Sequence, residues 1–153
     1  MIDVRFPTAL QMMLSLALAQ ERGEGLLSSS QLARSLGANP SFVRKMLVLL
    51  SDAGLAEAAR GNTGGVRLTR PAAAITLRDV YQAVTKDKPL WAPREGVPSV
   101  CMVSSNAGEY FSAISASAQE ATMAKLGQST LADGLAQLRA LDARRQQVAR
   151  QAS

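Results

Sequence analysis

The chain has 153 residues, of which 47% are hydrophobic and 19% are charged, and its net charge is +5. This size and composition predict one domain of ordinary size with an added helical arm, and an aromatic content of 4% disfavours an aromatic-rich β sandwich. One cysteine and no histidine exclude an internal disulfide, zinc sites with histidine ligands and catalysis by an imidazole. No spacing sets a Ser, Asp or Lys nucleophile beside its base, so we expect neither catalytic residues nor a metal site.

The sequence predicts no membrane-spanning or export segment. The longest apolar stretch, residues 9–19, is interrupted by Gln11 and Ser15 and is shorter than the ~20 residues that cross a bilayer. Residues 1–6 include Asp3 and lack the basic and apolar regions of a signal peptide. A lone thiol fits a reducing compartment. We therefore expect a cytoplasmic protein without a membrane partner.

Most of the positive charge is concentrated in one segment. Residues 28–70 contain six basic side chains and two acidic ones, Asp52 and Glu57, so they carry +4 of the net +5. The basic residues are Arg34, Arg44, Lys45, Arg60, Arg67 and Arg70. This concentration is typical of a protein that binds a polyanion, although a solvated surface can have the same composition.

Three helices are predicted in the N-terminal third. Apolar residues at spacings of three and four predict an amphipathic first helix that ends before Gly23; they are Phe6, Ala9, Leu10, Met13, Leu14 and Ala17. The serines at 28–30 offer an N-cap for a short second helix that Gly37 stops. Asn39 or the adjoining position can cap a third helix, with Pro40 in its first turn, where the missing N–H does no harm. Two helices joined by such a short turn match the helix-turn-helix arrangement.

After Gly54 the pattern changes to that of a hairpin. Residues 55–59 and 66–69 form two short apolar segments. The glycines and the asparagine of residues 60–65 permit the positive φ values of a tight turn. A nucleotide-binding loop is disfavoured because no Gly-Lys-Ser/Thr follows. The sequence therefore predicts a β wing attached to the helix-turn-helix.

The stretch from Pro40 to Leu68 resembles the Rrf2 family of winged-helix transcriptional regulators. The family pattern has a Pro, an aromatic, a Leu-rich helix, Ala-Gly-Leu and then Arg-Gly-x-x-Gly-Gly-x-x-Leu, which are similar to residues 40–50, 53–55 and 60–68. Residues 6–19 and 76–84 resemble the family's first helix and the helix after its wing. The sequence departs from the pattern at Ala58, where the family commonly has Ser, and at Val66, where it commonly has an aromatic.

The C-terminal third predicts two further helices. A stripe of small and apolar residues spans 105–126, which allows close approach of another helix. Thr130 and Asp133 have the spacing of a capping box for a second helix, which carries leucines as far as Leu141. Residues 143–153 are basic with little apolar surface, and we expect them to form a frayed tail.

The resemblance implies a fold class that is mainly α with a small β wing. It assigns residues 1–85 to a winged helix-turn-helix domain, 86–104 to a linker and 105–142 to a helical dimerisation region. The dimerisation residues are expected to be Tyr110, Phe111, Ile114, Ala118 and Ala121. If the stripe instead belongs to an ordinary core, the same residues are buried within one protomer.

Double-stranded DNA is the expected partner, and the DNA-contacting residues come from three places. They are Ser28, Ser29, Asn39, Ser41, Phe42, Arg44, Lys45, Arg60, Asn62, Thr63 and Arg67. Arg44 suits a guanine contact and Lys45 a phosphate. Phe42 is either a packing residue or an apolar contact to a thymine methyl, and the resemblance favours the exposed role. Ser28 and Ser29 suit either a phosphate or helix capping.

A homodimer would read two half-sites of a near-palindromic operator. The resemblance favours a repressor. An alternative is a winged-helix adaptor that binds proteins and never DNA, because a fold does not determine a function.

Cys101 is the residue that bears on what the protein senses. Cluster-binding members of the family carry three cysteines, whereas this chain has one, so no cofactor is expected and the closest resemblance is to the YwnA-like branch. Cys101 is either a small buried hydrophobe or a redox switch with a lowered pKa near a helix start. A further alternative is a small apolar effector held near Trp91, Tyr110 and Phe111, with no redox role.

Overall fold

The computed structural model describes residues 2–61 and 64–152 and confirms the predicted fold class, mainly α with a small β wing. Within these residues there are six α-helices and one two-stranded antiparallel sheet, and none of the helices is both long and apolar enough to cross a membrane. The elements are α1 Arg5–Glu21, α2 Ser29–Leu36, α3 Pro40–Asp52, β1 Ala56–Ala59, β2 Gly65–Leu68, a short 3-10 helix Ala72–Ala74, α4 Leu77–Thr85, α5 Met102–Leu126 and α6 Leu131–Gln151.

Side-chain caps set the ends of α2 and α3. Ser28 Oγ accepts from the backbone N–H of Gln31 at 3.0 Å, and Gln31 Oε1 accepts from the backbone N–H of Ser28 at 2.7 Å. Gly37, with φ 59°, ends α2 in the left-handed conformation. Asn39 Oδ1 accepts from the backbone N–H of Ser41 at 2.8 Å and starts α3. These contacts confirm the predicted start of each helix and the turn between them.

The wing is tied to the chain that leads into α2. Beyond the pairing of β1 with β2, Val66 N donates to Leu27 O at 2.8 Å and Leu27 N donates to Val66 O at 3.1 Å. A Cβ at Gly65 would lie 2.9 Å from Leu26 Cβ, so this close approach requires glycine. The hairpin was predicted, whereas the single β-bridge from Leu27 to Val66 was not.

Helix α1 lies at the centre of the hydrophobic core. Ala9, Met13 and Ala17 are buried, as their spacing predicts. Met12 and Leu16 are buried as well, because α1 packs against α3, α4 and α6 on different sides. A helix covered on several faces buries more than the single stripe that its sequence pattern marks.

The first turns of α6 complete this same core. Leu131 and Leu135 are 0% and 4% exposed and belong to one cluster with the buried residues of α1 and α4. Leu131 N donates to Ile75 O at 2.9 Å, which fastens α6 to the segment before α4. Part of the segment 105–142, predicted as a dimerisation region, therefore packs inside the protomer.

The long helix α5 begins earlier than its apolar stripe predicts. The stripe places the start near Ser105, whereas the helix starts at Met102. Cys101 is the cap, because its Sγ accepts from the backbone N–H of Ser104 at 3.4 Å. The linker expected over residues 86–104 thus ends at Cys101.

The expectation of a frayed tail is wrong for most of the C-terminal segment. Helix α6 continues to Gln151, and residues 143–151 are helical and exposed. They contain neither glycine nor proline, and Ala, Arg and Gln are good helix formers. Little apolar surface is therefore no obstacle to helix formation here.

Candidate nucleic-acid interface

Helix α3 has one face in the core and one face in solvent. Val43, Met46 and Leu50 are fully buried and anchor the helix. The opposite face of α3 points outward because α-helical residues at spacings of three and four share a face. The exposed residues are Ser41, Arg44, Lys45, Val48 and Ser51.

At the start of α3 the predicted DNA-contacting residues have different environments. Asn39 uses its Oδ1 to cap the helix. Arg44 is exposed, and its Nη2 donates to Ser41 Oγ at 3.4 Å. Phe42 is half-buried and packs against the core cluster, so the packing role is present and its contact with a thymine methyl stays a prediction. Phe42 lies one helical turn before the buried Met46, so it borders the inward face of α3.

Ser28 and Ser29 lie half-buried at the start of α2. The hydroxyl of Ser28 is engaged as the helix cap. The N–H groups of this first turn also form the positive end of the helix, which favours an anion. Capping explains Ser28 by itself, and the helix end is available for a phosphate oxygen.

The wing carries two of the predicted basic residues. Arg60 is exposed directly after β1, and no ion pair in the described part of the chain involves it. Arg67 Nε lies 2.7 Å from Glu57 Oε1 on the opposite strand, so its charge is offset. The predicted contacts Asn62 and Thr63 lie outside the described residues.

A groove between α3 and the wing brings residues from three elements to one surface. Its volume is about 500 Å³, and its lining includes Ser28 and Ser29 from α2 and Arg44 from α3. Val48 also lines the groove and is 58% exposed. The sequence pattern missed Val48 because an apolar residue in a helix is normally assigned to the core. Polar, basic and apolar groups are therefore available together on this side of the molecule.

Cys101 is exposed at the N-cap of α5, which rules out the interpretation as a small buried hydrophobe. Its Sγ lies 3.4 Å from Ser104 Oγ and accepts from Ser104 N. Hydrogen bonds from the side chain and then the backbone of Ser104 lower the pKa of the Cys101 thiol, because they favour the thiolate. The thiol opens on a cavity of about 610 Å³ that Arg94 also lines.

Helix α5 leaves its aromatic residues in solvent. Tyr110, Phe111 and Ile114 are exposed, and the two rings lie 5.9 Å apart between centroids. Ala118 is half-buried and Ala121 is exposed. The interpretation of this stripe as core within one protomer is therefore wrong for its large side chains.

Trp91 lies apart from Tyr110 and Phe111, although the hypothesis of an apolar effector places all three residues at one site. Its backbone O accepts from Ser115 Oγ at 3.1 Å. Trp91 and Ser115 line one cavity, whereas Phe111 lines the separate cavity beside Cys101. The three aromatic residues thus form no common effector site.

Known proteins match this chain in sequence and in structure. YwnA of Bacillus subtilis is 35% identical over 103 residues, which cover 67% of this chain and 73% of YwnA. The HTH-type transcriptional regulator IscR of Cereibacter sphaeroides is 36% identical over 76 residues, which cover 50% of this chain and 49% of IscR. Across three curated relatives the matched stretch spans 37%, 42% and 49% of the relative's length. A crystal structure from Lactobacillus plantarum has a TM-score of 0.74 at 24% identity, covering 90% of this chain and 91% of that one, and so shares the fold.

A profile of the Rrf2 family, described as an iron-dependent transcriptional regulator, matches residues 2–137. That range includes the helix-turn-helix, the wing, α5 and the start of α6. The resemblance of the wing signature and the preceding helix is thereby confirmed. The chain belongs to the Rrf2 family.

Proposed function

We propose that this protein is a sequence-specific DNA-binding transcriptional regulator that acts as a repressor on a near-palindromic operator. The observation that carries the proposal is the surface of α3 and the wing, where Arg44 lines a groove and Lys45, the next residue, is exposed. A helix presented in this way can enter the major groove and offer its side chains to base edges. The name of the relative IscR, an HTH-type transcriptional regulator, supports the same function.

Each exposed residue of this surface has a contact that suits its chemistry. The guanidinium of Arg44 can form two hydrogen bonds to one guanine, which gives specificity. Val48, one turn further along α3, suits the methyl group of a thymine. Lys45 on α3 and Arg60 on the wing suit phosphates, which position the protein without reading the sequence.

The same proposal includes a homodimer formed through α5 and the outer part of α6. Tyr110, Phe111 and Ile114 on α5 are exposed, and so are Leu138 and Leu141 on α6. Several large apolar side chains exposed on one helix, as on α5, mark an interaction surface. Two copies related by a two-fold axis would place two copies of α3 on half-sites about 34 Å, one helical turn, or a multiple of it apart.

The test measures binding of the purified protein to the DNA upstream of its own gene as salt is raised. Phosphate contacts predict that log K falls linearly with log salt, with a slope of about −0.9 for each phosphate neutralised. The variant Arg44→Ala should lose about 1–3 kcal/mol of binding free energy at the operator. Arg150→Ala, on the exposed last turn of α6, is the matched control and should bind as the parent does. No binding at low salt would favour the protein-interaction adaptor.

The residues of this chain do not fit an iron–sulfur cluster. Such clusters are held by several thiolates, usually four, and this chain has one cysteine and no histidine. Within the described residues no three Cys, Asp or Glu side chains come together as a metal site. The iron dependence in the family description therefore has no counterpart in the donor set of this chain.

We propose that Cys101 modulates the regulator through thiol chemistry. Its thiol is exposed and its pKa is lowered, so the reactive thiolate forms more readily. Hydrogen peroxide oxidises the thiolate to a sulfenic acid and is itself reduced, leaving as hydroxide. Condensation of the sulfenic acid with the thiol of a second copy then yields a disulfide and water. The measurement is DNA affinity before and after peroxide for the parent and for Cys101→Ser. An equal response of the two proteins would contradict the switch.

A further inference from the structure

A cavity separates the linker after α4 from the middle of α5. Its volume is about 310 Å³, which lies at the lower end of the range of small-molecule sites. Trp91, Pro93 and Ala116 supply apolar wall, and Asp87 and Ser115 supply polar wall. This cavity is separate from the proposed DNA-binding surface. It lies near the C-terminal end of α4, whereas the residues that fasten α6 lie near the start of α4.

Two polar side chains of α5 in this cavity differ in their hydrogen bonding. Ser115 is 3% exposed, and its Oγ donates to Trp91 O, which holds the linker against α5. Gln119 also lines the cavity, and its Oε1 is buried with no hydrogen-bond partner within residues 2–61 and 64–152. Buried acceptors are paired in the great majority of cases. A small rotation of the Gln119 side chain towards the cavity would let its Oε1 accept from a donor on a bound molecule.

The charge at the cavity favours a cation. Asp87 is the one charged residue among the described residues that line it. Lys88, next in the chain, lines a different cavity together with Asp3, and Arg94 lines the cavity beside Cys101. A carboxylate, a carbonyl oxygen without a donor and an aromatic residue all favour an N–H group with positive charge.

We propose that this cavity binds a small organic ammonium compound with a flat apolar body. The ammonium group donates to Gln119 Oε1 and faces Asp87, and the apolar body lies against Trp91. The cavity has the volume of about ten water molecules at ~30 Å³ each, so a matching ligand has about ten non-hydrogen atoms. An arylalkylamine has this size and this combination of groups.

The position of the cavity links it to the DNA-binding surface. The linker leaves α4 through Lys86 and Asp87, which both have left-handed backbone conformations with φ 51° and 56°. Helix α4 packs against α3. A ligand held between the linker and α5 therefore acts on the element that supports α3, and serves as an effector. This second part rests on the proposed DNA-binding function, whereas the ligand site itself does not.

The binding test uses 2-phenylethylammonium as the probe and the full-length protein. Trp91 is the one tryptophan of the chain, so its fluorescence reports on this cavity. We expect saturable quenching by 2-phenylethylammonium in the millimolar range or below, and at least tenfold weaker binding of 3-phenylpropionate, which has a similar body and the opposite charge. Absence of saturation, or equal binding of the anion, would overturn the proposal.

Variants distinguish this site from non-specific binding of the amine. Gln119→Leu removes the unpaired acceptor and should raise the Kd about tenfold. Gln128→Leu, an exposed glutamine beyond the end of α5, is the matched control and should leave the Kd within twofold. Asp87→Asn changes an exposed position, so it keeps the fold, and should raise the Kd several-fold. An unchanged Kd in Gln119→Leu and Asp87→Asn would refute the site.

The effector role is tested separately, by measuring the affinity of the protein for the upstream DNA with and without the amine. At saturating 2-phenylethylammonium we expect at least a threefold change in DNA affinity for the parent and none for Gln119→Leu. By thermodynamic reciprocity the Kd of the amine must shift by the same factor on the DNA complex. Unchanged DNA affinity with the amine bound would overturn the effector role. Failure of the protein to bind DNA at all would contradict the proposed function and leave the fluorescence result for the ligand site intact.

Discussion

Replacement of Leu131 by alanine tests whether α6 completes the core of the winged-helix domain. Leu131 is 0% exposed and packs with the core residues of α1 and α4. The substitution removes three buried carbon atoms at about 0.8 kcal/mol each, or about 2.4 kcal/mol. A residual cavity of ~50 Å³ adds about 1.2 kcal/mol at ~24 cal/mol per Å³. The free energy of unfolding should therefore fall by about 3.6 kcal/mol, which lies within the usual range for a buried leucine.

Urea denaturation of Leu131→Ala and of the parent measures this loss. The matched control is Leu90→Ala in the linker after α4, where the leucine is 40% exposed and lies outside the proposed dimer surface. We expect the control to lose less than about 1 kcal/mol. All proteins are compared at one concentration, because association would add to the apparent stability. If Leu131→Ala loses no more than Leu90→Ala, the packing of α6 in this core is refuted.

Three further changes test the wing and the thiol. Gly65→Ala places a Cβ 2.9 Å from Leu26 Cβ, so we expect a loss of about 1–3 kcal/mol in unfolding free energy, and a thermal shift no larger than that of a neutral surface variant would contradict the close approach. Ser104→Ala removes the hydrogen bond that most lowers the pKa of Cys101, so the pH midpoint of alkylation should rise; an unmoved midpoint would show that Ser104 has no such effect. Arg60→Ala should reduce the magnitude of the salt slope of DNA binding by about 1, and an identical slope would mean that Arg60 touches no phosphate.

The sequence by itself determined the local elements of the DNA-binding half. The sequence predicts a cap among the serines at 28–30 and another at or beside Asn39, and in the structure Ser28 and Asn39 are these caps. It also predicts the end of α2 at Gly37 and the hairpin after Gly54, and both are present. These features depend on residues within four positions of each other. Capping and turn formation follow from the side chain and the permitted φ of the residue concerned, so neighbours in sequence are sufficient to predict them.

Only the tertiary structure decided which apolar faces are covered and by what. Leu131 and Leu135 packed into the N-terminal core, Phe42 turned inward and Val48 stayed exposed, although all four are apolar residues on helices. The sequence likewise does not predict that Gln119 Oε1 is buried without a hydrogen-bond partner, because that burial arises when the linker packs against α5. Helical periodicity identifies a face but contains no information on its neighbour, because that neighbour is separated by tens of residues in sequence.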